Sequence, residues 1–386
     1  MLSAFSELAG NLESIAQQGL YRSRRIIESP QGIHLNLDGR QVLNFCSNDY
    51  LGLANHPNII NAFKSAVDRY GVGSGSAHLV CGHTTAHHAL EEELADFTGR
   101  DRALLFSTGY MANIGTIPAL LGRTDTVLED RLNHASLLDG GLSSGAKFIR
   151  YAHADAADLD AKLTKAQGNK LIVTDGVFSM DGDFAPINAL AVLAKNHGAW
   201  LMVDDAHGLG VLGKHGGGLL QYNGLKQDDV QILMGTLGKA LGTFGAFVAG
   251  SETLIESLIQ KVRTYTYTTA LPPALAEATR ASLKLVSTEH WRRDRLEQVI
   301  RRFRVGAQQL GLQLMSSTSA IQPLMIGDSH KAVAISNALL DNGILVSAIR
   351  PPTVPRNSAR LRITFSTMHE DAHVEHLLSV LADTLK

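Results

Sequence analysis

Val230-Gln-Ile-Leu-Met234 runs directly into Gly235-Thr-Leu-Gly-Lys239-Ala-Leu-Gly242. An apolar run of this length, stopped by glycines, reads as a buried strand entering a turn. The glycines let the backbone bend and approach a ligand closely, and Lys239 follows the strand. A lysine there is poorly solvated. Desolvation favours the neutral amine, the nucleophile that Schiff-base chemistry with an aldehyde requires. A surface lysine in a glycine-rich turn would look the same, and this segment alone leaves both readings open.

Outward from that strand the same pattern repeats. Ala103–Phe106, Thr126–Leu128, Lys147–Ile149, Lys170–Thr174, Trp200–Val203 and Gly245–Val248 are short apolar runs, with helical patterns between most of them. The connections are long enough for crossover helices, so one mostly parallel sheet is expected. In such sheets ligands gather beyond the carboxyl ends of the strands. Past Pro273 long helices follow, with a charged stretch from Glu289 to Arg304 that reads as a solvated face. A second, smaller alternation then runs through Ala320–Met325, a helix near Lys331–Asn342, Ile344–Ser347, Arg360–Thr364 and a closing helix from Glu370. The expected organisation is an N-terminal helix and arm over 1–44, a large domain over 45–275 and a small α/β domain over 276–386.

The chain's 386 residues are enough for two packed units and a buried cofactor. A net charge of −2 with 19% charged residues argues against a nucleic-acid or membrane-surface partner. Two cysteines, Cys46 and Cys81, are too few for a disulfide framework and point to a reducing compartment, the cytoplasm. From Met1 to Leu20, apolar Phe5, Leu8, Leu12 and Ile15 recur at helical spacing, unlike the continuous apolar core of a signal peptide.

The strand tails carry the chemistry. Val203-Asp204-Asp205-Ala206-His207-Gly208 offers a carboxylate, Asp204, to a pyridine nitrogen, and His207 to a phenolic oxygen. An Asp pair after a strand also serves as a helix cap or a divalent-metal site. Ser107-Thr-Gly109-Tyr110 opens a helix whose free N–H groups would cradle a phosphate. Asn133-His134-Ala-Ser136 places an imidazole that could stack on a ring, or simply cap a helix. Ser179, in Asp175-Gly-Val-Phe-Ser179-Met-Asp-Gly-Asp183, is a hydroxyl partner or turn chemistry. Arg22, Arg350, Arg360 and Arg362 are candidates to grip a carboxylate in a two-pronged bond. Cys81, His83, His87 and His88 lie close enough to suggest zinc, but no second ligand pair follows and His87 reads as a helix start, so no metal is expected.

As an ordered set, Asn48-Asp-Tyr-Leu-Gly-Leu53, Asn133–Ser136, Asp175–Gly182, Val203–Gly208 and Gly235–Gly242 resemble the α-oxoamine synthases. These are pyridoxal-phosphate enzymes that join an amino acid to an acyl thioester with loss of carbon dioxide. The resemblance spans about residues 22–365 and implies an α/β fold, the PLP-dependent transferase fold type I, with a large domain around a mostly parallel central sheet and a smaller α/β C-terminal domain. It also implies pyridoxal 5'-phosphate (PLP) as cofactor, with Lys239 as Schiff-base lysine and proton carrier. Asp204 would serve the ring nitrogen, His134 the ring face, and Ser179 and His207 its phenolic side. Gly109, Tyr110 and Thr236 would lie around cofactor and phosphate. Arg22, Asn48, His134, Thr353 and Arg362 would contact substrate, Arg362 holding the amino-acid carboxylate. The tail Ala348-Ile-Arg-Pro-Pro-Thr-Val-Pro355, followed by Ala359-Arg-Leu-Arg362, is most similar to the branch of biotin biosynthesis that uses L-alanine with pimeloyl-CoA or pimeloyl-acyl carrier protein. A branch using glycine and acetyl-CoA is the alternative. A homodimer is implied too, with Thr268 and Thr269 reaching the neighbour's phosphate. One departure is His78, where many relatives carry an arginine, which puts an acyl or carrier contact there in doubt.

Overall fold

The computed structural model describes residues 5–385. They divide into two compact units: residues 49–179 with 183–294, and residues 5–48 with 180–182 and 295–385. The division falls at 294/295 rather than near 275, and the N-terminal segment groups with the C-terminal one.

The larger unit is built on a seven-stranded sheet. In spatial order its strands are Arg102–Phe106, Ala246–Gly250, Ile232–Thr236, Trp200–Asp204, Lys170–Asp175, Thr126–Asp130 and Lys147–Tyr151. Only Ala246–Gly250 runs against its neighbours, so six strands point their carboxyl ends the same way. The seven runs expected from the sequence are these seven strands. Near-continuous apolar runs are needed because both faces are covered. Leu104, Phe106, Val127, Leu171, Val173 and Met202 pack into one core, and Leu128, Ile172, Leu201, Val203 and Leu233 into another. Fully burying each such side chain contributes about 1.5–3 kcal/mol. Register places Asp175 opposite Asp204, and Asp204 opposite Met234, at the sheet's carboxyl edge.

The smaller unit holds two three-stranded sheets, not one alternation. Ile321–Gly327, Ala359–Thr364 and Ser347–Ile349 form an antiparallel sheet. Ile344–Leu345 instead joins a hairpin of His34–Leu37 and Arg40–Asn44, so the expected 344–347 strand is split between sheets. The hairpin was not anticipated. Its signal is Asp38-Gly39, both at positive φ (50° and 75°), which suits the tight turn that matches strand twist. The helix expected from Met1 begins at Ser6 and ends at Gln17; residues 1–4 lie outside the described residues. Its apolar row, Phe5, Leu8, Leu12 and Ile15, is exposed. No described helix is long and apolar enough to cross a membrane.

Candidate active site

Lys239 sits three residues past the Ile232–Thr236 strand and is half-buried. The turn that carries it is pinned: Thr236 Oγ1 donates to the Gly245 carbonyl at 3.1 Å, and Leu237 N–H donates to the same oxygen at 2.9 Å. Gly242 (φ 67°) has no room for a side chain, since a Cβ would lie 2.4 Å from the Ala54 nitrogen. The ε-amine of Lys239 therefore has a fixed origin. Its Nζ lies 2.8 Å from His207 Nε2, and His207 Nδ1 lies 2.6 Å from the hydroxyl of buried Tyr50. Tyr50 is part of the quoted Asn48–Leu53 motif, but no role for it was read there. His207 is thus engaged through both ring nitrogens by Tyr50 and Lys239.

Asp204 ends the neighbouring strand and is 4% exposed. Asn113 Nδ2 donates to its Oδ2 at 2.7 Å and to Ser136 Oγ at 2.9 Å, and Ala206 N–H donates to its Oδ1 at 3.1 Å. Charged acceptors make such bonds strong. Asn113 is fully buried on the Gly109–Leu120 helix, and its Oδ1 is a buried oxygen without a hydrogen-bond partner. Sequence reading missed it: an Asn one helical turn past a Gly-Tyr start carries no distinctive signal.

Asp205, its sequence neighbour, does different work. It is wholly buried and accepts from Leu219 N–H at 2.6 Å. Gly176, Gly208 and Gly218 crowd it so closely that a Cβ on each would come within 2.9, 2.1 and 1.9 Å of its carboxylate. Burial pushes its pKa up to about 8, against the N–H bond that favours the charged form. The two aspartates are therefore used differently: Asp204 is held at the strand end by Asn113, while Asp205 accepts an N–H at the start of the Gly218–Tyr222 helix and fastens the 205–219 loop.

His134 is N-cap of the Ala135–Ser143 helix, its Nδ1 2.8 Å from Ser136 Oγ. One side of it is open to solvent, while the protein around the rest strips hydration and lowers its pKa, with the Asp204 charge opposing. Its backbone N–H donates to Asp175 Oδ2 at 2.6 Å. Asp175 is pushed well above the carboxylate range, first by burial and then by the charge of Asp204 beside it. Ser179 lies at the end of the same segment, half-buried. At the Gly109–Leu120 helix start, Thr108 caps Met111 N–H at 3.1 Å and the Tyr110 hydroxyl donates to Asp139. Gly109 is tightly placed, since a Cβ there would lie 2.7 Å from Met234 Cε. Exposed Thr269 bridges to Ala77, next to half-buried Thr268 and exposed Tyr267.

The donor set fits PLP. An amine, a positioned carboxylate and a helix N-terminus all lie at the carboxyl edge of one sheet, together with an open-faced imidazole. The orphaned Asn113 oxygen beside Asp204 shows a buried place kept polar.

In the smaller unit, Arg362 is buried and its Nη2 donates to Asn48 Oδ1 at 3.1 Å. Arg22 Nη2 donates to Thr353 Oγ1 at 3.2 Å. These two line a cavity of about 310 Å³ together with Leu20, Ser347, Ile349 and Arg350. Arg350 also donates to the Gly19 carbonyl, and Arg360 is committed to Asp181. Of the four arginine candidates, Arg360 is thus tied into the fold. His78 is buried, stacked on Tyr265 at 4.9 Å, and its pKa is driven down to about 3, chiefly by burial. It packs as a desolvated ring against Tyr265 and supplies no permanent charge.

Comparison with known proteins agrees with this geometry. Residues 40–381 match the model of the aminotransferase class I and II family. The chain is 61% identical to an 8-amino-7-oxononanoate synthase of Pseudomonas fluorescens, covering 98% of this chain and 97% of that one. It is 62% identical to the namesake of Methylococcus capsulatus, covering 98% of each. Among solved structures, a serine palmitoyltransferase of S. paucimobilis superposes with a TM-score of 0.93 at 31% identity, covering 100% of this chain and 98% of that one. The 8-amino-7-oxononanoate synthase of Francisella tularensis does so with a TM-score of 0.79 at 32% identity, covering 89% and 98%. From the sheet and its strand-end residues to these near full-length matches, the chain belongs to the aminotransferase class I and II family.

Proposed function

We propose that this chain condenses L-alanine with a pimeloyl thioester to give 8-amino-7-oxononanoate, carbon dioxide and the free thiol carrier, using PLP. The observation that carries the reading is identity above 60% over nearly the whole chain to 8-amino-7-oxononanoate synthases. The arrangement of Lys239, His207 and Asp204 supports it from the chemical side. When bound, the cofactor supplies an electron sink for negative charge at the amino acid's α-carbon.

The protein's part is to hold and to move protons. Lys239 holds the cofactor's aldehyde and takes the alanine α-proton, with its amine oriented by His207 and Tyr50. Asp204, fixed by Asn113, keeps a proton at the pyridine nitrogen. His134 covers the ring face, while His207 and Ser179 serve the phenolic oxygen. Gly109, Tyr110 and Thr236 bind around the phosphate. Arg362 grips the alanine carboxylate and Asn48 holds Arg362 in place. Arg22 and Thr353 meet the acyl chain. A new carbon–carbon bond joins the alanine α-carbon to the thioester carbonyl, the thiol leaves, and the former carboxylate departs as carbon dioxide.

A homodimer in the cytoplasm belongs to the same proposal, with Thr268 and Thr269 serving the neighbour's phosphate. Tyr267, 72% exposed, supports a partnered segment there. The deciding experiment follows thiol release with alanine and pimeloyl-CoA or pimeloyl-acyl carrier protein against glycine and acetyl-CoA. Faster turnover of the alanine and pimeloyl pair is expected; preference for glycine and acetyl-CoA would overturn the substrate assignment. Visible absorbance on adding PLP tests the cofactor separately.

A further inference from the structure

The sequence offered Cys81, His83, His87 and His88 as a ligand cluster. The structure takes that set apart. His87 is N3 of a capping box on the Thr85–Thr98 helix, and both its ring nitrogens are used: Nδ1 with Thr84 and Nε2 with the Leu271 carbonyl at 2.7 Å. A residue outside the set replaces it. His83, His88 and Glu91 bring one ligand atom each to within 4.8 Å of one another.

The geometry points to a divalent transition-metal site formed by His83, His88 and Glu91 in the larger unit, unconnected with the proposed reaction. His88 and Glu91 stand three residues apart on one helix face, a spacing that aims two side chains at one point. His83 enters from the segment just before the helix, with Nε2 3.9 Å from Glu91 Oε2. Bound ligand atoms around zinc sit about 2.0–2.2 Å from the metal, so the three need to close by less than about an ångström each.

Two of the three ligands already have the outer partner such sites use. His83 Nδ1 is 2.9 Å from His78 Nδ1, which leaves Nε2 facing Glu91 and fixes the ring's orientation. Glu91 Oε1 accepts Leu105 N–H at 2.9 Å, leaving Oε2 toward His83. Charge fits as well. Glu91 has only 13% of its side chain exposed, and a desolvated carboxylate is what a cation rewards. The competing partner of His88, Glu92 at 3.4 Å, is an exposed helical pair of little strength. Mixed imidazole and carboxylate donors suit zinc, nickel or cobalt better than calcium or magnesium.

The test uses the PLP-loaded enzyme after chelator treatment, titrated with ZnCl2 by calorimetry. One zinc per chain is expected, and His88→Ala should weaken it by more than about tenfold. His88 is exposed and outside the proposed catalytic set, so that variant should keep its fold and turnover. Because zinc would bind only the folded chain, it should also raise Tm in the parent and not in the variant. Cobalt(II) should give ligand-field absorbance that Glu91→Gln reduces. Equal zinc affinity in parent and His88→Ala, or no binding in the parent, overturns the proposal.

Discussion

Two regions of the larger unit are rich in the residue types that do chemistry, and they are assembled in opposite ways. At the sheet edge, Tyr50, Asn113, Asp204, His207 and Lys239 meet through hydrogen bonds that join residues up to 157 positions apart, as in the Tyr50–His207 pair. At the helix start, His78, His83, His87, His88 and Glu91 lie within one short stretch, and much of their bonding serves the local fold. Sequence proximity therefore overstates the second region and hides the first. Convergence of distant segments on the sheet's carboxyl edge is what the proposed reaction centre requires, because the sheet holds such groups in register.

The largest expected effect breaks the first region at its centre. Lys239→Ala should lose turnover by about a thousandfold or more, with circular dichroism and Tm unchanged, since the lysine contributes proton transfer and not packing. Retained activity would remove it from the reaction. Asp204→Asn should cost about a hundredfold, the scale for losing one preorganised electrostatic partner. Asn113→Ala should cost about tenfold through Asp204, given the ~1.5–3 kcal/mol of a hydrogen bond to a charged group. A positioning role predicts that this loss shifts the pH profile; a merely structural one would lower Tm and leave the profile in place.

Smaller effects sharpen the contrast on the stability side. Burial alone would lower the pKa of His153, but bonds to Asp130 at 2.9 Å and Asp183 at 2.8 Å push it up to about 10. A raised pKa means the folded state favours the proton. Its stabilisation is full below the ordinary value of 6.5, declines as pH rises from there, and is gone above about 10. His153→Gln should therefore lower Tm near pH 6 and match the parent above pH 10 in thermal scans. Smallest of all, His88→Ala should leave turnover without zinc unchanged.

Much of this was legible in the chain. Six of the seven sheet strands announce themselves because they are buried on both faces in apolar runs, as in Leu171–Ile172–Val173, while the edge strand Lys147–Tyr151 buries only its last residue. Lys239, Asp204 and His207 were legible because glycines and strand ends flank them. Asn113 and Tyr50 were not, since their importance comes only from which distant side chain they meet. Glu91 was hidden for a different reason: in a Glu-Glu-Glu run nothing distinguishes the one that turns inward to the Leu105 N–H. The 34–44 hairpin was overlooked despite its Asp-Gly turn, because its strands are short, the first alternating and the second holding only two apolar residues.

The three glycines packed around Asp205 make the 205–219 loop a single mechanical part with one fastener. Any side chain added at 176, 208 or 218, or the loss of the Asp205 carboxyl, releases the same loop and with it His207. Such variants would form one phenotypic class in a mutational screen: inactive, scattered over 43 positions of sequence, and easily mistaken for catalytic residues. Their shared signature would be a lowered Tm beside lost activity, the reverse of what Lys239 should show.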